Sequence, residues 1–176
     1  TMDQDDTRLK VLKEFASCNW KRELYYSEVS TTPEVSAIKT CEIKVRYTNK
    51  STRTAEKHEF MWTFSSDDTD FIDIVLDSKA DDESTPHDIL VSTPLEEGWG
   101  RVICNNMSSG ISGCSLTLML TTRSDVANPP YDTRTMHFIF NERSSEPHKQ
   151  TVVSVVIMEM SSTGKSYTKT GTMTSI

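Results

Sequence analysis

Phe60-Met61-Trp62-Thr63-Phe64-Ser65-Ser66-Asp67-Asp68-Thr69-Asp70-Phe71-Ile72-Asp73-Ile74-Val75-Leu76 is the stretch that decides the fold class. Phe60, Trp62 and Phe64 stand at every second position, and so do Ile72, Ile74 and Leu76. Successive side chains of an extended chain point to opposite faces, so a period of two reads as a half-buried strand. Asp67 and Asp68 between the two runs mark the turn.

The same period extends outward. Upstream, Cys41, Ile43, Val45 and Tyr47 alternate with Glu42, Lys44 and Arg46, and the polar stretch Thr48 to Lys57 connects that strand to Phe60. Downstream, strands are expected at Arg101 to Cys104, Cys114 to Thr122, Thr135 to Phe140 and Thr151 to Met160. Between them lies an acidic surface insertion, Ser78 to Pro94, whose apolar residues are Ile89, Leu90 and Val91. The N-terminal segment reads differently. Leu9, Leu12, Phe15, Ala16, Trp20 and Leu24 recur at spacings of three and four, a helical stripe that Asp6 or Thr7 can cap. The resulting expectation is an α+β fold, with one N-terminal amphipathic helix packed on a mostly antiparallel β-sheet of about six or seven strands. Residues 1–160 form one domain in this reading, and the Ser-, Thr- and Gly-rich segment 161–176 is a polar, fraying tail.

Composition narrows the function. The 176 residues carry a formal charge of -7 and 35% hydrophobic residues. An acidic total disfavours a free-standing nucleic-acid binder, because phosphate affinity rests on Lys and Arg. No run approaches the length of a transmembrane helix, and Asp3, Asp5 and Asp6 stand where a signal peptide would carry basic residues. Cys18, Cys41, Cys104 and Cys114 are too few for a disulfide framework, which favours reduced thiols, although Cys104 and Cys114 could close a loop carrying Gly110 and Gly113. The sequons Asn49-Lys50-Ser51 and Asn106-Met107-Ser108 keep a secreted reading open.

Catalytic and metal-binding patterns are missing from the sequence. His58, His87, His137 and His148 lie in separate segments without helical pairing, and no C-x-x-C occurs. Asp81-Asp82-Glu83 lacks the alternation and central Gly of a calcium loop. Gly164-Lys165-Ser166 ends like a phosphate loop, but Glu159 stands where the first Gly belongs. The expectation is a non-enzyme with no cofactor, no metal and no small-molecule substrate. Two binding features stand out instead. Arg8, Lys10, Lys13, Lys21 and Arg22 form the densest basic cluster, assigned to the polar face of the helix. Pro129-Pro130-Tyr131 forms a proline-rich loop with an aromatic handle, off register for a PPxY ligand.

Two blocks resemble the matrix proteins of rhabdoviruses, especially the lyssavirus type. One is Trp62 to Phe71, a Trp followed by an acidic cluster, Thr, an acid and an aromatic. The other runs from Gly100-Arg101-Val102 through Cys104, Asn106-Met107 and Cys114 to Thr121-Thr122-Arg123-Ser124-Asp125. The N-terminal PPxY motif of the lyssavirus type is missing, and the acidic loop and the strands after Asp125 are additions, as in a distant, plant-infecting branch. The resemblance implies a structural protein that self-associates, condenses a viral nucleocapsid, and links it to the membrane surface and the glycoprotein tail. It further implies a place in the virion and host cytoplasm as a peripheral membrane protein, with Cys104 and Cys114 as free thiols. Under it, the basic cluster is the membrane or nucleocapsid contact. The competing expectation is a secreted β-sandwich binding module such as a pathogen immune-evasion factor.

Overall fold

The structure, a computed structural model, describes residues 2–28, 39–77, 89–104, 110–141 and 150–176. A helix, α1 (Met2–Ala16), precedes ten strands: β1 (Trp20–Glu28), β2 (Lys39–Asn49), β3 (Lys57–Phe64), β4 (Asp67–Asp77), β5 (Ile89–Ser92), β6 (Glu96–Cys104), β7 (Cys114–Thr122), β8 (Thr133–Phe140), β9 (Val152–Met160) and β10 (Ser166–Ser175). Each strand pairs antiparallel with its neighbours in sequence, and β10 pairs with β1 along its length, from Trp20 opposite Ser175 to Glu28 opposite Tyr167. The ring is therefore closed, an up-and-down β-barrel.

This overturns the expected α+β sheet. The seven strands expected from alternation are present, and β1, β5 and β10 complete the ring. Each of the three hid for a physical reason. Trp20 and Leu24 are four apart, a spacing that fits a helix turn and a strand face equally; the helix ends at Ala16, and Trp20, Arg22 and Leu24 share the inward parity of β1. β5 is only Ile89 to Ser92, near the end of what read as an insertion whose first residues, 78–88, lie outside the described residues. β10 replaces the expected frayed tail. Its Thr residues favour strands once a partner supplies ladder hydrogen bonds, but its inward positions, Lys169, Gly171 and Met173, lack an apolar run. Gly171 allows a close approach there, since a Cβ on it would run into the Glu23 carbonyl of β1.

Side chains fill the ring. Eight strands enclose a lumen just wide enough for side chains, so ten leave room for more. Trp62 on β3 and Phe138 on β8 come from strands five places apart in the ring, directly across it, and their rings lie 5.2 Å apart. The last turn of α1 adds Phe15 to this layer. Its ring lies within 5.9 Å of the rings of Trp20, Trp62, Phe138 and Phe140. Val11 and Leu12 are buried beside it. The helix thus inserts its apolar stripe into one end of the barrel and does not lie on a sheet. It begins at Met2, ahead of the expected caps Asp6 and Thr7. At its C-terminus the Trp20 indole N–H donates to the Phe15 carbonyl at 2.8 Å, and the Ser17 hydroxyl donates to the Glu14 carbonyl.

If Phe15 fills the helix end of the lumen, Phe15→Ala removes a ring that touches three strands and leaves a cavity. The expected cost is about 3–5 kcal/mol of folding stability, read from the urea midpoint.

Candidate functional site

Strands β7 to β10 reverse the usual placement of charge. Their charged residues are Arg134, Glu159 and Lys169, and all three occupy inward positions. Arg134 stands opposite Leu120 and Glu159, and Lys169 stands opposite Ile157. With Glu96 from β6 they close the end of the lumen away from α1. The Arg134 guanidinium donates to both oxygens of Glu96, at 2.6 and 3.1 Å, and Lys169 lies 2.6 Å from Glu159. Glu96 is 1% exposed. Its carboxylate also accepts the Thr93 hydroxyl, and Arg123 donates to the Thr93 carbonyl, so the turn after β5 is tied to the loop after β7. Tyr131 lies under the Arg134 guanidinium, beside the Glu96 ion pair. Burial pushes that phenol well above its ordinary range; Arg134 opposes the shift, and Glu96 and Glu159 add to it.

The outer faces of the same strands carry no Asp, Glu, Lys or Arg. β7 presents Ser115, Thr117, Met119 and Thr121; β8 presents Thr133, Thr135, His137 and Ile139. β9 presents Val152, Ser154, Val156, Met158 and Met160, and β10 presents Ser166, Thr168, Thr170, Thr172 and Thr174. A transverse row crosses this wall in register: Leu90 faces Trp99, Trp99 faces Met119, Met119 faces Thr135, and Thr135 faces Met158. Leu90 is 54% exposed, Met119 38% and Met158 40%; Ile103 and Ile139, in the row through Ser115 four residues nearer the helix end, are exposed as well.

The wall of β2 to β4 is the opposite case. Glu42, Lys44 and Arg46 point outward from β2, Lys57 and Glu59 from β3, and Asp73 and Asp77 from β4. Lys50 lies 3.1 Å from Glu59. Burial first, and then the neighbouring Glu59, push the Asp73 carboxyl up to about 6 against the opposing pull of Lys50 and Lys57. At the helix end of this wall, the His58 ring is held between the Tyr47 hydroxyl at 2.6 Å and Glu56 at 3.0 Å. Both ring nitrogens are engaged by these neighbours, and the Tyr47 ring also carries the Lys13 ammonium 5.1 Å from its centre. The arrangement reads as a satisfied polar network that fixes the β2–β3 hairpin against α1.

The expected basic cluster is not one surface. Arg8, Lys10 and Lys13 are on α1, but Lys21 and Arg22 belong to β1. Lys21 points outward and lies 3.3 Å from Glu23, whereas Arg22 points inward, with its guanidinium over the Phe64 ring. The strand period separates these two neighbours onto opposite faces, so the assignment of all five to a single helix face is corrected. In the loop expected to bind partners, Pro130 is exposed, Pro129 is half-buried, and Tyr131 turns toward Arg134 and Glu96. The aromatic handle is thus engaged by the barrel's own ion pair. Sequence reasoning missed Glu96, Arg134, Glu159 and Lys169. The available signal was parity for Arg134 and Glu159, which fall in step with buried apolar residues of β8 and β9; Glu96 and Lys169 share their faces largely with glycine and gave a weaker one.

Cys104 and Cys114 stand directly opposite each other on β6 and β7 and are joined by a disulfide, while Cys18 and Cys41 are free. The expectation of reduced thiols is corrected for that pair. Asn49 of the first sequon is exposed at the end of β2; Asn106 of the second, with Asp81-Asp82-Glu83, His87 and His148, lies outside the described residues. Among the described residues there is no group of three His, Cys, Asp or Glu side chains placed to hold a metal, and no helix long and apolar enough to cross a membrane. No protein-family model, no curated protein and no solved structure matches the chain.

Two outcomes follow from the placement of charge. Arg134→Met strands the Glu96 carboxylate in the barrel end and is expected to cost about 3–5 kcal/mol in chemical denaturation, with partial recovery when Glu96→Gln is added. Asp73 behaves differently because its folded form holds a proton more tightly than the unfolded chain does. Stability contributed by this group is full below about pH 4 and is lost as pH rises toward 6. Asp73→Asn should therefore flatten the stability profile across that window and gain about 1 kcal/mol or less at neutral pH, allowing for solvent screening.

Proposed function

We propose that this chain is a non-enzymatic binding protein of an oxidising compartment that engages a protein partner through the uncharged outer wall of β7 to β10. One observation carries the reading. Four adjacent strands send every charged side chain inward and leave an outer surface of Thr, Ser, Met, Ile, Val and His. Charge on a strand's solvent face keeps a protein soluble, so its removal from one whole wall suits a surface that is covered in use. Met and apolar side chains surrounded by small polar ones match the centre and rim of a protein interface.

The chemistry inside the barrel favours binding over catalysis. Glu96 with Arg134, Glu159 with Lys169, and His58 with Tyr47 and Glu56 spend their hydrogen-bonding capacity on one another. Opposite walls touch through Trp62 and Phe138, so the titratable groups at the two ends do not converge on a shared space. The disulfide favours an oxidising compartment over the cytoplasm. The alternative of a rhabdovirus-type matrix protein keeps the two sequence blocks as its support. The open α+β sheet and the five-residue basic face that accompanied it are replaced by the barrel.

For the purified chain and a protein partner captured from extracellular fluid, Met158→Glu should weaken binding on the order of tenfold or more in surface plasmon resonance. Lys44→Glu, on the charged wall, should leave it unchanged. Loss of binding through Lys44→Glu with Met158→Glu silent would overturn the assignment of the wall.

A further inference from the structure

We infer that the occupant of the uncharged wall is the same wall of a second copy of this chain, in a closed two-fold pair. This rests on the reading of that wall as a binding surface and names its partner.

Barrel closure sets the first condition. The strands of this wall are hydrogen-bonded to both neighbours along most of their length, so association through it must run face to face through side chains. The charge distribution sets the second. The chain carries a net charge of -7, so two copies repel each other at long range. A two-fold contact also brings each surface patch against its own image, and a patch of one sign then meets the same sign. The wall of β7 to β10 escapes the second penalty and adds nothing to the first. It carries no Asp, Glu, Lys or Arg, and Thr, Ser and Met are compatible with copies of themselves.

Size and chemistry fit as well. Four strands spaced about 4.8 Å apart and nine residues long at about 3.3 Å each outline a face of roughly 600 Å². Leu90 and Trp99 extend the central row across β5 and β6. Side-chain relief then brings the accessible area near the roughly 800 Å² per partner of a standard interface. Met119, Met158 and Met160 are unbranched and adapt their shape, which helps two convex barrel surfaces make continuous contact. Glu97 and Arg101 flank Trp99 on β6, so only this extension beyond β7 carries charge, one residue of each sign.

The test is sedimentation equilibrium of the disulfide-intact chain from micromolar to near-millimolar concentration. The expected result is a monomer–dimer equilibrium without larger species, because a two-fold contact closes on itself. Added salt should strengthen it or leave it unchanged, since salt screens the repulsion between the two acidic copies and there is no ion pair across the face to lose. Met119→Glu and, independently, Thr170→Glu should raise the dissociation constant on the order of tenfold, each placing like charges near the two-fold. Lys44→Glu should have no such effect. Both wall residues are exposed, and circular dichroism confirms that each variant folds; if one does not, the other decides. A monomer at every concentration, a dimer indifferent to both wall substitutions, or assemblies that keep growing with concentration would each overturn the pairing. So would binding of the monomer to neutral phosphatidylcholine vesicles in place of dimerisation. A monomer whose heterologous protein partner is still lost through Met158→Glu sinks the pairing and leaves the wall as a binding surface; failure of both experiments removes the wall as well.

Discussion

The contact between Phe15 and the aromatic layer of the barrel is the constraint on which the rest of the structure depends. A ring of ten strands encloses more width than inward side chains from the strands alone readily fill. Trp20, Trp62, Phe138 and Phe140 take up much of it, and Phe15 enters from the helix to meet all four. That contact joins β1, β3 and β8 through one side chain and fixes where the helix ends. The short connection from Ala16 to Trp20 follows from it, because the chain must turn from plug to wall within a few residues. The bond from the Trp20 indole to the Phe15 carbonyl satisfies a helix-end acceptor in doing so.

A lumen packed in this way changes what its polar residues can do. At the end opposite the helix, the strands carry Arg134, Glu159 and Lys169 inward, where Glu96 completes two close ion pairs. Buried pairs of this kind gain little net stability over apolar replacements, because desolvation opposes their attraction. They do fix geometry. Glu96, Thr93 and Arg123 tie neighbouring connections together, and Tyr131 is drawn into the same network. The consequence outside is as important as the ties within. Four strands that place their charge in the lumen have none left for solvent, and the barrel acquires two unlike walls.

Closure and oxidation act on the same side of the molecule. The disulfide joins directly opposed residues of β6 and β7, next to the uncharged wall, and holds the ends of a connection whose central residues lie outside those described. β10 closes the ring on the wall's other flank by pairing with β1. The wall is thus a braced surface between a covalent cross-link and the closing seam. Bracing of this kind favours a rigid, preformed face.

The sequence by itself determined the strand-forming segments with strong alternation. Phe60 to Phe64, Phe71 to Leu76 and Cys114 to Thr122 are legible because each buries every second side chain, a local property. It also determined that an amphipathic helix precedes them. It left undecided where Trp20 and Leu24 belong, since a spacing of four satisfies both periods, and whether the Thr-rich end of the chain has a partner. Only the tertiary structure decided that β10 meets β1, because closure depends on residues about 150 positions apart, from Trp20 to Ser175. It likewise decided the candidate site. Alternation tells which residues share a face but not which face is the lumen when charged and apolar residues keep the same step. Arg134, Glu159 and Lys169 are inside because their partners are there, and those partners come from other strands.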